Sequence, residues 1–156
     1  MEKLEVRSVS KSFDGKPVLE DISITLKEGE LVCLLGVSGG GKTTLFNVIS
    51  GLVEPDKGSV FLNGENMTGK PGRVSYMLQK DLLLPYRTIL DNVALPLIIR
   101  GMKKKEAREK AVPYFAQFGL AGVEKKYPAQ LSGGMKQRAA LLRTYLFSQK
   151  VALLDE

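Results

Sequence analysis

The chain has 156 residues, of which 44% are hydrophobic and 26% charged, and its 23 basic against 17 acidic side chains leave a net charge of +6. That apolar share excludes a disordered or fibrous chain and describes one globular domain, which at this length buries roughly two-thirds of its unfolded surface. With one cysteine, Cys33, and no histidine, the chain can build neither an intramolecular disulfide nor a cysteine-pair or histidine metal site, and a reducing, cytosolic setting is the expectation.

Residues 4–7 predict a first strand. Residues 21–27, which alternate apolar and polar, predict a second with one buried face. The turn-like Asp14-Gly15-Lys16-Pro17 separates them, so residues 1–30 are expected to be mainly antiparallel β. Leu31-Val32-Cys33-Leu34-Leu35 is uninterrupted hydrophobe, the pattern of a parallel strand covered on both faces, with Cys33 as core filler. A glycine-rich turn leads into a helix over residues 43–50 that carries Leu45, Val48 and Ile49 on one side. Short strands follow near 59–62 and 73–78, then two helices within 88–118 broken around Arg100-Gly101-Met102. The second helix opens in Lys103-Lys104-Lys105, read as a solvated face, and sets Glu106 four residues before Lys110. A loop around Tyr127-Pro128, a helix over 133–147 and a buried strand over 151–154 complete the order. No secretory or membrane segment is expected, because residues 1–5 are charged and the best apolar stretch, 31–35, is far short of a span. The cations are spread along the chain without an arginine-rich, aromatic-interleaved stretch, so they read as solvated surface and no nucleic acid is expected as a partner.

Three motifs carry chemistry. Gly36-Val37-Ser38-Gly39-Gly40-Gly41-Lys42-Thr43 satisfies G-x-x-x-x-G-K-[ST], between an expected strand and an expected helix. Glycines let several backbone N–H groups approach one polyphosphate, Lys42 adds a charge for the β- and γ-phosphates, and the Thr43 hydroxyl is placed to coordinate Mg²⁺. Leu131-Ser132-Gly133-Gly134-Met135-Lys136-Gln137-Arg138 puts a serine at a helix start followed by two glycines. It reads either as a second anion-binding helix end or as an ordinary capped helix. Val151-Ala152-Leu153-Leu154-Asp155-Glu156 delivers two carboxylates at the carboxyl end of a strand, where open α/β sheets bind ligands. Successive residues point oppositely, so one carboxylate can hold Mg²⁺ while the next polarises the water that attacks a γ-phosphate; the plain alternative is a solvated strand end.

In this order and spacing, the three motifs resemble the ATP-binding cassette (ABC) family of transport ATPases over essentially the whole chain. Phe13 matches the aromatic that stacks on adenine, and Gln79 the glutamine linking the metal to the helical subdomain, although Phe13 reads equally as core and Gln79 as a loop residue. The resemblance implies an α/β P-loop NTPase core with a mainly parallel sheet, an N-terminal antiparallel β subdomain and a helical insertion. It is laid out as one nucleotide-binding domain with boundaries at 1–30, 31–79, 80–135 and 136–156. The implied ATP-binding set is Phe13, Gly36, Val37, Ser38, Gly39, Gly40, Gly41, Lys42, Thr43, Thr44 and Gln79. Thr43, Gln79 and Asp155 are implied for Mg²⁺, and Glu156 as the catalytic base. Leu131, Ser132, Gly133 and Gly134 are implied to close over the γ-phosphate held by the other subunit of a head-to-tail dimer. The stretch Leu82-Leu83-Leu84-Pro85-Tyr86-Arg87-Thr88 resembles the surface that receives a permease's cytoplasmic helix. The wording of this stretch and of Leu131-Ser132-Gly133-Gly134-Met135 is similar to importers of the nitrate, sulfonate, taurine and thiamine-precursor group.

The implied function is the ATP-binding subunit of an importer, peripheral on the inner face of the cell membrane. It would work as a homodimer or with a related ATPase subunit, on two permease subunits and indirectly with a substrate-binding protein. Met135 departs from the family's usual glutamine, and the chain stops at Glu156, before the family's histidine-bearing loop. Reduced stability and impaired turnover are therefore expected, and a hydrolysis-impaired nucleotide-binding fragment is the alternative reading. A soluble cassette ATPase of DNA repair or translation is a third, without a supporting insertion.

Overall fold

A computed structural model of the chain describes residues 2–147 and 150–155. It divides into two compact units, Met1–Val74 and Ser75–Glu156.

The first unit is built on a long antiparallel hairpin. Strands β1 (Glu2–Phe13) and β2 (Lys16–Lys27) are joined by Asp14 and Gly15, both at positive φ (50° and 74°), the two-residue turn whose twist matches that of paired strands. Leu4 faces Leu26, Val6 faces Ile24 and Val9 faces Ile22, so the apolar residues of both strands share one side. The alternation over 21–27 is present, with Ile22, Ile24 and Leu26 half-buried between exposed Ser23, Thr25 and Lys27. Strand β3 (Lys57–Leu62) pairs antiparallel with the other edge of β1. The two-residue β4 (Glu65–Asn66), which no sequence pattern announced, pairs with β3, giving the order β2-β1-β3-β4. Helix α1 (Lys42–Ile49) buries Leu45, Val48 and Ile49, the three positions that the sequence assigns to one side, and packs on β2.

Residues 31–37 correct the sequence reading. They form no strand and belong to neither sheet; Leu31 and Leu35 are 92% and 90% exposed, and Cys33 is exposed instead of filling a core. An apolar run becomes a buried parallel strand only where neighbours pair its N–H and C=O groups and helices cover both faces. Among the described residues no strand pairs with it.

The second unit contains the parallel pair β5 (Ser75–Met77) and β6 (Ala152–Leu154), in the register Ser75 to Ala152, Tyr76 to Leu153 and Met77 to Leu154. Strand β6 is covered on one face only. Val151 and Leu153 are buried, whereas Ala152 is exposed and Leu154 is 49% exposed, so the expected burial of the whole run is also corrected. Helices α2 (Ile89–Ile99) and α3 (Lys104–Gln117) break where the sequence places the break, and α4 (Gly133–Phe147) has the expected bounds. Their shared core takes Ile89, Val93 and Leu97 from α2, Ala107, Ala111 and Phe115 from α3, and Ala139, Leu142 and Leu146 from α4. On α3 the buried residues recur every fourth position, which is one stripe of a helix.

Thr88 caps α2 by accepting from the Asp91 amide at 3.2 Å. Asp91 is buried and takes both ends of the Arg108 guanidinium, at 2.7 and 2.8 Å. The Arg108 hydrogen bond holds the Asp91 carboxyl below its ordinary range. Lys103 and Lys105 are solvated as expected, while Lys104 reaches Asp91 at 3.6 Å. Among the described residues no helix is long and apolar enough to cross a membrane.

Candidate functional site

The glycine-rich loop is shaped by its own backbone. The Gly40 amide donates to the Val37 carbonyl at 3.1 Å, and the Lys42 ammonium donates to the carbonyls of Gly36 and Val37, at 2.8 Å each. The cation is thus held against the loop by neutral acceptors, with no carboxylate hydrogen-bonded to it among the described residues. Gly41 is required here for two reasons. It sits at φ 82°, and a Cβ there would lie 2.8 Å from the Val18 carbonyl oxygen. As N-cap of α1 it brings no side chain to the first-turn N–H groups, which leaves a positive helix end beside the loop.

Around this loop, Val37, Ser38, Gly39, Gly40 and Thr43 are exposed, and Thr44 is half-buried. Phe13, at the hairpin end of β1, is 45% exposed, which removes the reading of it as core, and the Lys11 ammonium lies 5.5 Å from its ring centroid. An exposed ring of this kind has a face free to stack on a planar group.

In the second unit, Asp155 is buried directly after β6, and its amide donates to the Met77 carbonyl at 3.0 Å. The Tyr76 hydroxyl donates to Asp155 Oδ2 at 3.3 Å. Burial, then the neighbouring Asp155 charge, push the Tyr76 phenol up to about 12. Sequence reasoning missed Tyr76, because a tyrosine on a short strand carries no signal until the parallel register places it opposite Leu153. Gln79 stands exposed in the loop after β5. Glu156 lies outside the described residues. The donors expected for Mg²⁺, a hydroxyl of Thr43, an amide oxygen of Gln79 and the Asp155 carboxylate, are hard oxygens. Thr43 stands in the first unit and Gln79 and Asp155 in the second, and each offers the kind of oxygen donor that Mg²⁺ takes beside phosphate and water.

Two further residues shape the loop over 81–88. Asn92 on α2 is fully buried; its Oδ1 accepts from the Leu84 amide at 2.6 Å, and its Nδ2 lies 3.0 to 3.2 Å from the carbonyls of Thr88, Leu84 and Arg87. Arg143 on α4 donates to the carbonyls of Asp81 and Leu82, at 2.6 and 2.9 Å. Burial lowers the Arg143 pKa, opposed by the charge of Asp81. On the outer side of this loop Leu82 and Tyr86 are 52% and 74% exposed.

The Leu131 to Gly134 stretch opens α4. Leu131 is buried, and the exposed Ser132 caps the helix by accepting from the Met135 amide at 3.3 Å. Gly133 and Gly134 have ordinary helical φ, and a Cβ on either would meet nothing within 4 Å. Nothing inside the described chain therefore requires glycine at these two positions.

An α/β chain whose loop holds a lysine across its own carbonyls and opens an uncapped helix defines the P-loop class of nucleotide-binding domains. The model of the ABC transporter family matches residues 19–156, and the chain belongs to that family. It is 47% identical over 156 residues to the formylaminopyrimidine import ATP-binding protein ThiZ of Halalkalibacterium halodurans, covering 99% of this chain and 60% of that protein. It is 42% identical over 153 residues to the taurine import ATP-binding protein TauB of Escherichia coli O157:H7, covering 98% of this chain and 60% of TauB. Among solved structures, an ATP-binding cassette captured as a dimer after hydrolysis, with ADP and Pi bound, superposes with a TM-score of 0.87 at 29% identity, over 98% of this chain and 73% of that one. Both importers fall in the group that the sequence resembles, and the chain spans about 60% of their length.

Proposed function

We propose that this chain is the nucleotide-binding part of an importer ATPase that binds Mg-ATP and couples its hydrolysis to solute uptake through partner permeases. The observation that carries the reading is the Lys42 ammonium held at 2.8 Å by the two loop carbonyls of Gly36 and Val37, beside the uncapped start of α1. On binding, the ammonium turns from those carbonyls to β- and γ-phosphate oxygens, while the loop amides of residues 39–43 surround the phosphate chain. Phe13 offers its exposed face to the adenine. Thr43, Gln79 and Asp155 would hold Mg²⁺, which neutralises phosphate charge when bound; Tyr76 orients the Asp155 carboxylate through its hydroxyl. Glu156 takes the role of base for the attacking water.

Gly133 and Gly134 support a dimeric arrangement. A glycine pair that its own chain does not require fits the close approach of another molecule, here the phosphate end of ATP on a second cassette, with Ser132 beside it. The subunit would lie peripherally on the inner membrane face, with two permeases as partners and a binding protein delivering the solute; the names of ThiZ and TauB, import ATP-binding proteins for formylaminopyrimidine and taurine, support a small organic solute.

The test is ATP binding and steady-state hydrolysis by the purified chain with Lys42→Ala and Glu156→Gln. Expected are a loss of ATP affinity of at least about tenfold in Lys42→Ala and unchanged binding in Glu156→Gln. Unaltered ATP affinity in Lys42→Ala would refute the phosphate assignment. Binding without turnover in the unsubstituted chain would restrict the reading to nucleotide binding.

A further inference from the structure

We propose that Arg143 is a positioning residue that ties helix α4, and with it the Ser132 to Gly134 helix start, to the bend at Asp81 and Leu82 just after Gln79. Its bearing on transport rests on the function proposed above; its mechanical role does not.

The bend has a shape that its own sequence disfavours. Leu82 sits at φ 45°, the left-handed region that costs any residue with a Cβ. Three anchors hold it there. Asp81 Oδ1 accepts from the Leu83 amide at 3.0 Å, Asn92 takes both the N–H and the C=O of Leu84, and the Arg143 fork spans the carbonyls of Asp81 and Leu82. A planar guanidinium suits this last task because two separate nitrogens at a fixed spacing each take one carbonyl, whereas an ammonium has to bring a single nitrogen within reach of both.

The choice of acceptors is informative. Arg143 is half-buried, yet among the described residues its hydrogen bonds go to neutral carbonyls and none goes to a carboxylate. Burying a cation that no carboxylate hydrogen-bonds is costly even with the Asp81 charge nearby, and the two carbonyl bonds offset part of that cost. Ser132 precedes Arg143 by eleven residues on the same helix, about 16 Å at 1.5 Å per residue. A displacement of the surface that carries the exposed Leu82 and Tyr86 therefore pulls on the guanidinium, and a continuous helix carries the pull to the serine and glycines at its start.

The test compares Arg143→Met, which keeps the apolar stem and removes every donor, with Arg143→Lys, which keeps the charge but offers one nitrogen on a shorter reach in place of the two-pronged fork. Hydrogen exchange of the Leu83 and Leu84 amides is read in the nucleotide-free 156-residue chain. Expected is exchange at least about tenfold faster in Arg143→Met, an intermediate rate in Arg143→Lys, and amides in the middle of α4 within about twofold of the parent. Uniform acceleration throughout the unit, equal in both variants, would reduce Arg143 to packing and overturn the proposal, as would unchanged exchange at Leu83 and Leu84. In the transporter that carries this domain, Arg143→Met should leave the KM for ATP within about twofold and lower permease-stimulated kcat at least about tenfold, with partial recovery in Arg143→Lys. A parallel rise in KM would overturn the positioning role. Failure of Lys42→Ala to weaken ATP binding would strike only the functional reading, because the exchange experiment involves no nucleotide.

Discussion

Replacing Asn92 with alanine removes another anchor of the loop over 81–88. The amide is fully buried, accepts one hydrogen bond and lies within donor distance of three carbonyls. Two amide hydrogens cannot fully serve three acceptors, so the side chain counts for about three bonds in all. At about 1 kcal/mol net for each, the loss is roughly 3 kcal/mol, with little further penalty because the half-exposed loop can turn its freed groups to water. Urea unfolding followed by circular dichroism should show the midpoint falling at constant slope. Asn92→Asp separates hydrogen bonding from cavity effects. A carboxylate can still accept from the Leu84 amide but faces the three carbonyls with nothing to donate, so its folded-state pKa must rise above the unfolded one. Stability in that variant is then retained below the ordinary carboxylate pKa and lost as pH climbs through the raised value, while the alanine variant shows no such slope. A cost below about 1 kcal/mol for alanine, or a pH-independent aspartate variant, would refute the assignment of loop shape to Asn92.

Four other outcomes follow from the same structure. Tyr76, raised to about 12 chiefly by burial and then by Asp155, should contribute stability that is intact below the ordinary phenol pKa of about 10 and lost as pH climbs towards the raised value. Tyrosinate absorbance should show one late-titrating phenol, moved down part of the way by Asp155→Asn. Asp91, whose pKa is lowered first by its Arg108 hydrogen bond, should contribute stability present above the ordinary carboxylate pKa and lost as pH falls through the lowered one. An acid titration of helical signal should therefore be flatter in Arg108→Met. Gly41→Ala, at φ 82° against the Val18 carbonyl, should cost about 1–3 kcal/mol of stability. Gly134→Ala, in open space, should leave unfolding within about 1 kcal/mol of the parent while ATP-dependent dimerisation, measured by light scattering, falls.

The fold was legible wherever a pattern is satisfied within its own neighbourhood. The alternation over 21–27 needs only the adjacent strand β1, and the break at residues 100–102 needs only the helices on either side, so both appear where the sequence puts them. Residues 31–35 fail for the opposite reason. An uninterrupted apolar run states that both faces want cover and both edges want partners, which are contributions from elsewhere, and the described residues contain no partner strand for it. Leu154 shows the same gap in milder form, on a strand with one neighbour and one covered face.

The candidate site was legible as a set of residue types and opaque as a set of reasons. Gly41 and Gly134 are the same letter in two motifs, but the first is glycine because its own backbone demands it, and the second meets nothing in the chain that would exclude a side chain. Composition and spacing cannot tell these apart, since one constraint is internal strain and the other, on the dimeric reading proposed above, is room for a second molecule. Tyr76 and Arg143 escaped notice because each acts on a backbone or carboxylate group far away in sequence, 79 residues for Tyr76 to Asp155, and 61 and 62 for Arg143 to Leu82 and Asp81; Asn92 acts nearby, but on backbone groups of a loop whose shape no side-chain pattern announces. A motif scan finds groups that touch a ligand because their spacing is short and repeated. Groups that hold those motifs in place are selected by the fold, and the fold sets no fixed spacing for them.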